Sequence, residues 1–448
     1  MAHVFTMVTR LRLPQAFRVT TILILYATAL HAPAARAFSA DFGSAAAPIS
    51  PTRDVIPFLT LEEALRLATE HNSDIRAATT EVAAVEAARI QLAARPNPEI
   101  SYSMEDTQKA TRTTTLQLSQ VLELGGKRKA RIDAGELTRQ AASADRVVKV
   151  TDVRASVIAA YFEVLIGQER VVLANAALEL AQRGTDLAGK RVTAGKVSPV
   201  EETKARVAQA NVKVELTQAQ AELASARGRL CAIWNAPSQC FGTAAGPVAD
   251  LPDLLPFDDL VALAKDAPGV RRAALEVDRR GALARVEKTR QTPNVTVSLG
   301  VKRAEDIGRN QALIGVSVPL PLFDRNQGNL SEALLRTDKA RDELAAMESR
   351  VRADLWAFHQ QLAASRDTAA VLQDEVIPGA QSAYMAATKG FDFGKFTYLD
   401  VLDAQRTLLQ AKTQYLTALA AMHRARAEIE RLIGAQSANT PLRRKTPQ

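Results

Sequence analysis

The sequence predicts a mainly helical chain that carries one small, membrane-directed β-sheet. Three observations predict it. The chain repeats itself once over nearly its whole length. Each copy places a pair of short alternating segments between long helical stretches. Beyond the N-terminal region, no run of apolar residues is long enough to cross a bilayer as a helix. Composition agrees with this class. The 448 residues are 47% hydrophobic and 24% charged, which excludes intrinsic disorder. Aromatic residues are only 5% and alanine dominates the apolar set, which suits long helices packed closely. Two cysteines exclude a disulfide-rich scaffold and a Cys-based zinc ribbon. After residue 37 the only histidines are His71, His359 and His423, and none has a second histidine at metal-ligand spacing. No resident metal and no cofactor are therefore expected.

Residues 1–37 read as a secretory signal, with Arg10, Arg12 and Arg18 before an apolar core at 19–30 and an A-x-A site at Ala35-Arg36-Ala37. No cysteine follows to carry a lipid anchor. Removing this segment removes four arginines and no acidic residue, so the formal charge falls from +8 to +4. The basic balance thus gives no argument for nucleic acid. In an exported chain, Lys127–Arg131 (KRKAR) reads better as a solvated helix start than as a nucleic-acid patch.

The internal repeat is carried by matched landmarks. Pro96 and Pro293 are 197 residues apart, Ser119 and Ser317 are 198 apart, and Gly195 and Gly394 are 199 apart. The boundaries that follow are a first repeat at 59–238, a Gly/Pro-rich linker at 239–256 and a second repeat at 257–436. An N-terminal extension (38–58) and a C-terminal tail (437–448) flank them.

Each repeat is predicted to open with a helix, 59–94 in the first and Asp258–Arg290 in the second. Thr60 is the expected N-cap of the first, with Glu63 completing a capping box, and Pro96, Pro98 and Pro293 close them. Two strands follow in each repeat, at Ile100–Met104 and Leu116–Ser119, then Val295–Leu299 and Ile314–Val318. Period-two alternation gives them one apolar and one polar face. Polar loops at 105–114 and 302–310 suit hairpins that reach water. Four strands cannot close a barrel, and an open edge cannot face lipid. A membrane role therefore demands several chains, and three would supply twelve strands.

Long helical stretches come next, at roughly 127–190 and 326–389, each on the order of 95 Å. Their expected breakers are Gly167 and Gly184 in the first and Pro378 in the second. The spacing of Val157, Ala160, Tyr161, Val164 and Leu165 suits coiled-coil packing. Each stretch turns at a Gly-Lys pair, Gly195-Lys196 or Gly394-Lys395, and returns through a helix of about 36 residues. Gly125-Gly126 offers positive φ where strand passes to helix, and Pro319 and Pro321 are expected to serve that junction in the second repeat instead.

These features resemble one family, the TolC-like outer-membrane efflux proteins, over about residues 57–436. The repeat, the strand-to-helix junctions and GKFTYLDVLDAQRTLL (394–409) carry the resemblance. LELGGKRKARI (122–132) and VPLPLFDRNQGNL (318–330) are similar to its cobalt–zinc–cadmium resistance branch. The resemblance implies a trimeric channel-tunnel, mainly α, with four strands per chain in a shared 12-strand outer-membrane β-barrel. Coiled-coil helices would form an α-barrel across the periplasm. It implies a homotrimer in outer-membrane lipid, a periplasmic adaptor (membrane fusion) protein and an inner-membrane resistance–nodulation–division pump. The chain would conduct passively and would not be an enzyme; no Walker A, nucleophile elbow or HExxH motif occurs.

Asp400 and Asp403, three residues apart on one helix face, match the family's periplasmic gate, where crowded carboxylates would raise one another's pKa. By itself, an acidic residue there favours the helix dipole. Gly195, Lys196, Gly394, Lys395, Phe396 and Leu399 are the implied adaptor-docking tips. Phe391, Phe393 and Phe396 either pack the tip shut or are exposed for docking. Lys127, Arg128, Arg325 and Asn326 would lie just below the membrane. In an oxidising periplasm, Cys231 and Cys240 either close a disulfide or remain two structural thiols. Two rival functions are a duct for organic drugs or type I secretion and, from another class, a periplasmic coiled-coil adaptor.

Overall fold

The computed structural model describes residues 56–247 and 254–434. The expected signal at 1–37, residues 38–55 of the extension, residues 248–253 of the linker and the tail at 437–448 lie outside the described residues. The first half runs β1 (Ile56–Leu59), α1 (Leu61–His71), α2 (Ser73–Leu92), β2 (Glu99–Glu105), β3 (Thr113–Leu122), α3 (Lys127–Thr193), α4 (Pro199–Ala232) and β4 (Phe241–Ala244). The second runs α5 (Phe257–Ala264), α6 (Pro268–Arg290), β5 (Val295–Ala304), β6 (Arg309–Ser317), α7 (Gln327–Val371), a π-helical turn (Leu372–Val376), α8 (Ile377–Asp392) and α9 (Tyr398–Ile433). No described helix is long and apolar enough to cross a membrane.

Both opening helices are broken where one was expected. Asn72 stands between α1 and α2 in an extended conformation, and its Oδ1 accepts from the N–H groups of Asp74 and Ile75. A side chain that caps so well starts a new helix rather than continuing the old one. Pro268 breaks the second by standing at the first turn of α6, where its missing N–H costs nothing. Thr60 caps α1 as expected, but the reciprocal bond fails because the Glu63 carboxylate is bound by Arg66 at 2.7 Å. The linker and the extension also hold structure: β1 and β4 pair as a two-stranded parallel sheet.

α3 runs 67 residues without a break, through Gly167 and Gly184. Gly167 persists because Leu223 of α4 fills its space; a Cβ there would lie 3.3 Å from the leucine methyl. Pro378 does disturb its helix. Proline lacks the N–H and crowds the carbonyl four residues earlier, and the five-residue π turn just upstream relieves that conflict.

One core lies where Val157, Tyr161 and Val164 of α3 pack on Leu59, Leu230, Trp234 and Phe241, and a second of similar size joins Leu355 and Leu362 of α7 to Leu419 and Met422 of α9. Tyr161's hydroxyl is 3.0 Å from Leu59 O and 2.5 Å from Ala245 O, tying α3 to the small sheet. Gln168 locks the same sheet by bonding both the N–H and the carbonyl of Ala244. A disulfide joins Cys231 to Cys240 and closes the turn from α4 to β4.

Glu163 on α3 links three helices, accepting from Arg229 of α4 at 3.0 Å and Arg424 of α9 at 2.8 Å. Desolvation pushes its pKa up, but the two guanidinium bonds together outweigh it and hold the carboxyl below its ordinary value. A depressed carboxylate stabilises the fold above the unfolded pKa, about 4.3, and that contribution is lost as pH falls through the folded value. Glu163→Gln should therefore melt below the parent at pH 7, with the gap closing below about pH 4. A gap independent of pH would show that lost packing, not lost charge, is responsible.

Candidate functional site

The four longer strands form one antiparallel sheet in the order β2-β3-β5-β6. Register sorts its faces. One row across it reads Ile100, Leu118, Leu299 and Ile314, and the next Tyr102, Leu116, Val301 and Ala312. The opposite face reads Glu99, Ser119, Ser298 and Gly315, then Ser103, Thr115, Lys302 and Gln311. The apolar face is bare: Ile100 is 74% and Ile314 76% exposed. Nothing among the described residues covers it, and alternation of apolar-out with polar-in is the pattern of a strand between lipid and a watery lumen. The outer edges of β2 and β6 have no partner strand among the described residues.

Below the sheet, strand passes to long helix through a left-handed residue. Gly125 and Gly126 have φ of +71° and +74°. The second junction uses the same device, not the prolines alone: Asn326 takes φ +57° at the residue before α7. Pro319 and Pro321 follow the end of β6, where they end the strand by removing donors. The KRKAR basic residues are not merely solvated. Arg128 donates to Ala93 O at 2.7 Å and Arg131 to the carbonyls of Leu92 and Ala94, and Arg131 also pairs with Glu123. They satisfy the open carbonyls at the end of α2. Lys127 reaches Asn294 at the start of β5. Asn326 donates to Glu287 O at 2.9 Å, fastening α7 to α6. Arg325's backbone N–H donates to Gln327.

At the far ends of the helices the two hairpin tips share one geometry. At the first, Lys196 N–H bonds Arg191 O at 2.9 Å, Gly195 N–H bonds Val192 O at 2.9 Å, and Gly195 has φ +65°. At the second, Lys395 N–H bonds Gly390 O at 2.8 Å, Gly394 N–H bonds Phe391 O at 3.0 Å, and Gly394 has φ +71°. Each is a Schellman motif, which needs glycine at the left-handed position. Ser198 and Thr397 then cap α4 and α9 with their hydroxyls.

The tips are tied to each other. Arg191, in the last turn of α3, donates to Phe391 O at 2.7 Å, and its guanidinium carbon lies 3.8 Å from the Phe391 ring centroid. Beneath them Ala188, Ala205, Ala387, Phe391 and Val401 form a small core that unites both hairpins. Phe391 is only 4% exposed, whereas Phe393 is 80% exposed, and Phe396 and Leu399 are each about half exposed. The three phenylalanines are thus divided: one packs the tip and two face outward. Phe396 lies across Gly390, which has no room for a Cβ beneath it.

Asp400 and Asp403 are both exposed in the first turns of α9. They do different work. The Asp400 carboxylate accepts from both the hydroxyl and the N–H of Thr397 at 2.8 Å, completing a capping box. Within one chain those two bonds hold its carboxyl below the usual carboxylate range. Asp403 takes no side-chain hydrogen bond within the chain's described residues, so its carboxylate is available at the tip.

A family model described as "Outer membrane efflux protein" matches residues 64–236 and 260–435. The chain belongs to the outer membrane efflux protein family. It is 46% identical over 408 residues to the cobalt-zinc-cadmium resistance protein CzcC of Cupriavidus metallidurans, covering 91% of this chain and 97% of that one. It is 30% identical to the nickel-cobalt-cadmium resistance protein NccC of Alcaligenes xylosoxydans xylosoxydans, over 57% of each chain. Among solved structures it resembles the outer-membrane channel OprN, with TM-score 0.72, 19% identity and coverage of 84% of this chain and 89% of that one. It also resembles CusC, with TM-score 0.71 and 19% identity, over 84% of this chain and 92% of that one.

In this member of the outer membrane efflux protein family, reasoning from sequence missed Arg191 and Glu163 and read Tyr161 only as a packing position. Arg191, Glu163 and Tyr161 stand on α3 as ordinary helical residues. Glu163 and Arg191 have partners that include residues two hundred or more positions away. Arg191's place one turn before a Gly-Lys turn was the one local signal. Among the described residues, no group of three or more His, Cys, Asp or Glu side chains is placed to hold a metal ion.

Proposed function

We propose that this protein is the outer-membrane duct of a tripartite heavy-metal exporter. Its similarity over nearly the whole chain to a cobalt-zinc-cadmium resistance protein carries this reading. Three exported copies would join their open edges, β6 to β2, into a twelve-stranded barrel in the outer membrane. The long helices, about 100 Å in α3, would extend the lumen through the periplasm. A periplasmic adaptor would dock at the tips around Gly195, Lys196, Gly394, Lys395, Phe396 and Leu399. Energy and cargo choice would belong to an inner-membrane resistance–nodulation–division pump. The resting tip is held shut within each chain by Arg191 on Phe391. Asp403 supplies the free carboxylate facing the constriction, and Asp400 holds the helix that presents it. An adaptor that binds the splayed tips better than the closed ones would open the duct.

Growth of a strain lacking this gene, across cobalt, zinc, cadmium, copper and several organic toxicants, tests the reading. Selective sensitivity to the divalent metals, restored by the intact gene, is expected. Sensitivity to organic compounds alone would keep the duct and overturn the metal cargo.

A further inference from the structure

The segment between β6 and α7 presents a bare apolar surface. Phe323 is 92%, Leu320 76% and Leu322 64% exposed. The surface is preformed: Pro319 and Pro321 fix the backbone, Leu322 N–H bonds Leu320 O at 2.9 Å, and Asp324 Oδ1 accepts from Asn326 N–H. We propose that this exit segment seats on the α2–β2 connection, residues 93–98, of the next copy of the chain. The proposal rests on the assembly proposed above and specifies its interface.

The internal repeat supplies the argument. Within one chain, the exit segment of β3 already packs on the α6–β5 connection. Gly125 lies so close to Thr292 that a Cβ would stand 2.8 Å from its side chain, and Lys127 bonds Asn294. The landmark offsets map Ser119 to Ser317, and map Thr292, Asn294 and Ser298 back to Arg95, Asn97 and Ser101. The β3 exit therefore corresponds to the β6 exit, and the surface it covers corresponds to residues 95–97. In one chain those two places lie at opposite edges of the sheet. They meet only between copies.

The same offsets set the strand pairing between copies. Ser119 pairs with Ser298 inside the chain, so the repeat places Ser317 opposite Ser101 of the next copy. That register sets Val316 against Tyr102, Val318 against Ile100 and Ile314 against Met104 of the next copy, apolar against apolar throughout. A slip of one residue would set each against the polar face. Chemistry at the landing site also fits. Ile90, at the end of α2, is 70% exposed, and Arg95 is exposed with no ion pair among the described residues. Apolar Phe323 would face the first, and Asp324 the second. From Ser317 to the left-handed Asn326 the chain has two residues more than from Ser119 to Gly126. The extra length is what lets this exit protrude.

Paired cysteines test it in the full chain, whose two native cysteines are already bonded to each other. Phe323→Cys with Ile90→Cys should convert most of the oxidised protein to covalent dimers and trimers, and neither single variant should. Ser317→Cys with Ser101→Cys reports the strand register alone. Cross-linking of the strand pair but not the exit pair would overturn the proposal and leave the assembly standing. Failure of both in a protein that runs as a trimer would overturn the register, and with it the proposal. Failure of both in a monomer would overturn the assembly itself. Phe323→Trp in vesicles of brominated phospholipid gives a second reading. Unchanged fluorescence is expected, and strong quenching would place the segment in lipid and sink the contact.

Discussion

Arg191→Ala is expected to raise the conductance of the resting channel in planar bilayers. The side chain makes two contacts across the hairpins, a charged hydrogen bond to Phe391 O and a cation over the Phe391 ring. Together these are worth about 2 kcal/mol at a partly buried site. That is about thirtyfold in a closed–open equilibrium for each chain that must move. Arg191→Lys should be intermediate, because an ammonium keeps the charge but not the planar stack. Phe391→Leu should lose the ring contact and keep the carbonyl bond, giving the smaller increase of the two contacts. Conductance equal to the parent in Arg191→Ala would show that the small alanine core at the tips holds them closed without it.

How much of this was readable in advance varies element by element. The four longer strands were legible because four or five residues of each alternate apolar with polar, although the strands themselves run seven to ten residues. The long helices were legible from length and apolar spacing. The strands β1 and β4 were not. Each has four residues, too few for a period to register, and they pair across about 180 residues of sequence. The break at Asn72 was not read, because the helical pattern continues on both sides of it. Pro378 signalled a disturbance, while the π turn that absorbs it is a tertiary compromise.

At the tips the turn chemistry was local and therefore readable: Gly-Lys followed by Ser198 or Thr397 specifies a helix stop and a helix start. The roles of the side chains there depend on what folds beside them. Phe391 and Phe393 are two residues apart and look alike in sequence; a difference of about half a turn in helix phase buries one and exposes the other. Asp400 and Asp403 likewise look alike. Only the position of Thr397, three residues before Asp400, marks the first as a cap.

That difference separates two variants that a paired substitution would merge. Asp403→Asn should lower the preference of the open channel for cations over anions and weaken block by divalent cations at the periplasmic side. It removes a free carboxylate that, three times over in the proposed trimer, concentrates cations at the narrowest ring. Asp400→Asn should leave selectivity closer to the parent, since its carboxylate is already engaged by two donors from Thr397. Its effect should appear instead as a less stable start of α9, seen as faster amide exchange in that first turn and a noisier resting conductance. Thr397→Ala supplies the control. It costs the helix its cap, about 1 kcal/mol, and releases Asp400 to face the lumen, so resting noise should rise while cation preference is kept or strengthened. Equal loss of selectivity in Asp400→Asn and Asp403→Asn would mean that the capping bonds break when three chains assemble, and that both carboxylates line the constriction.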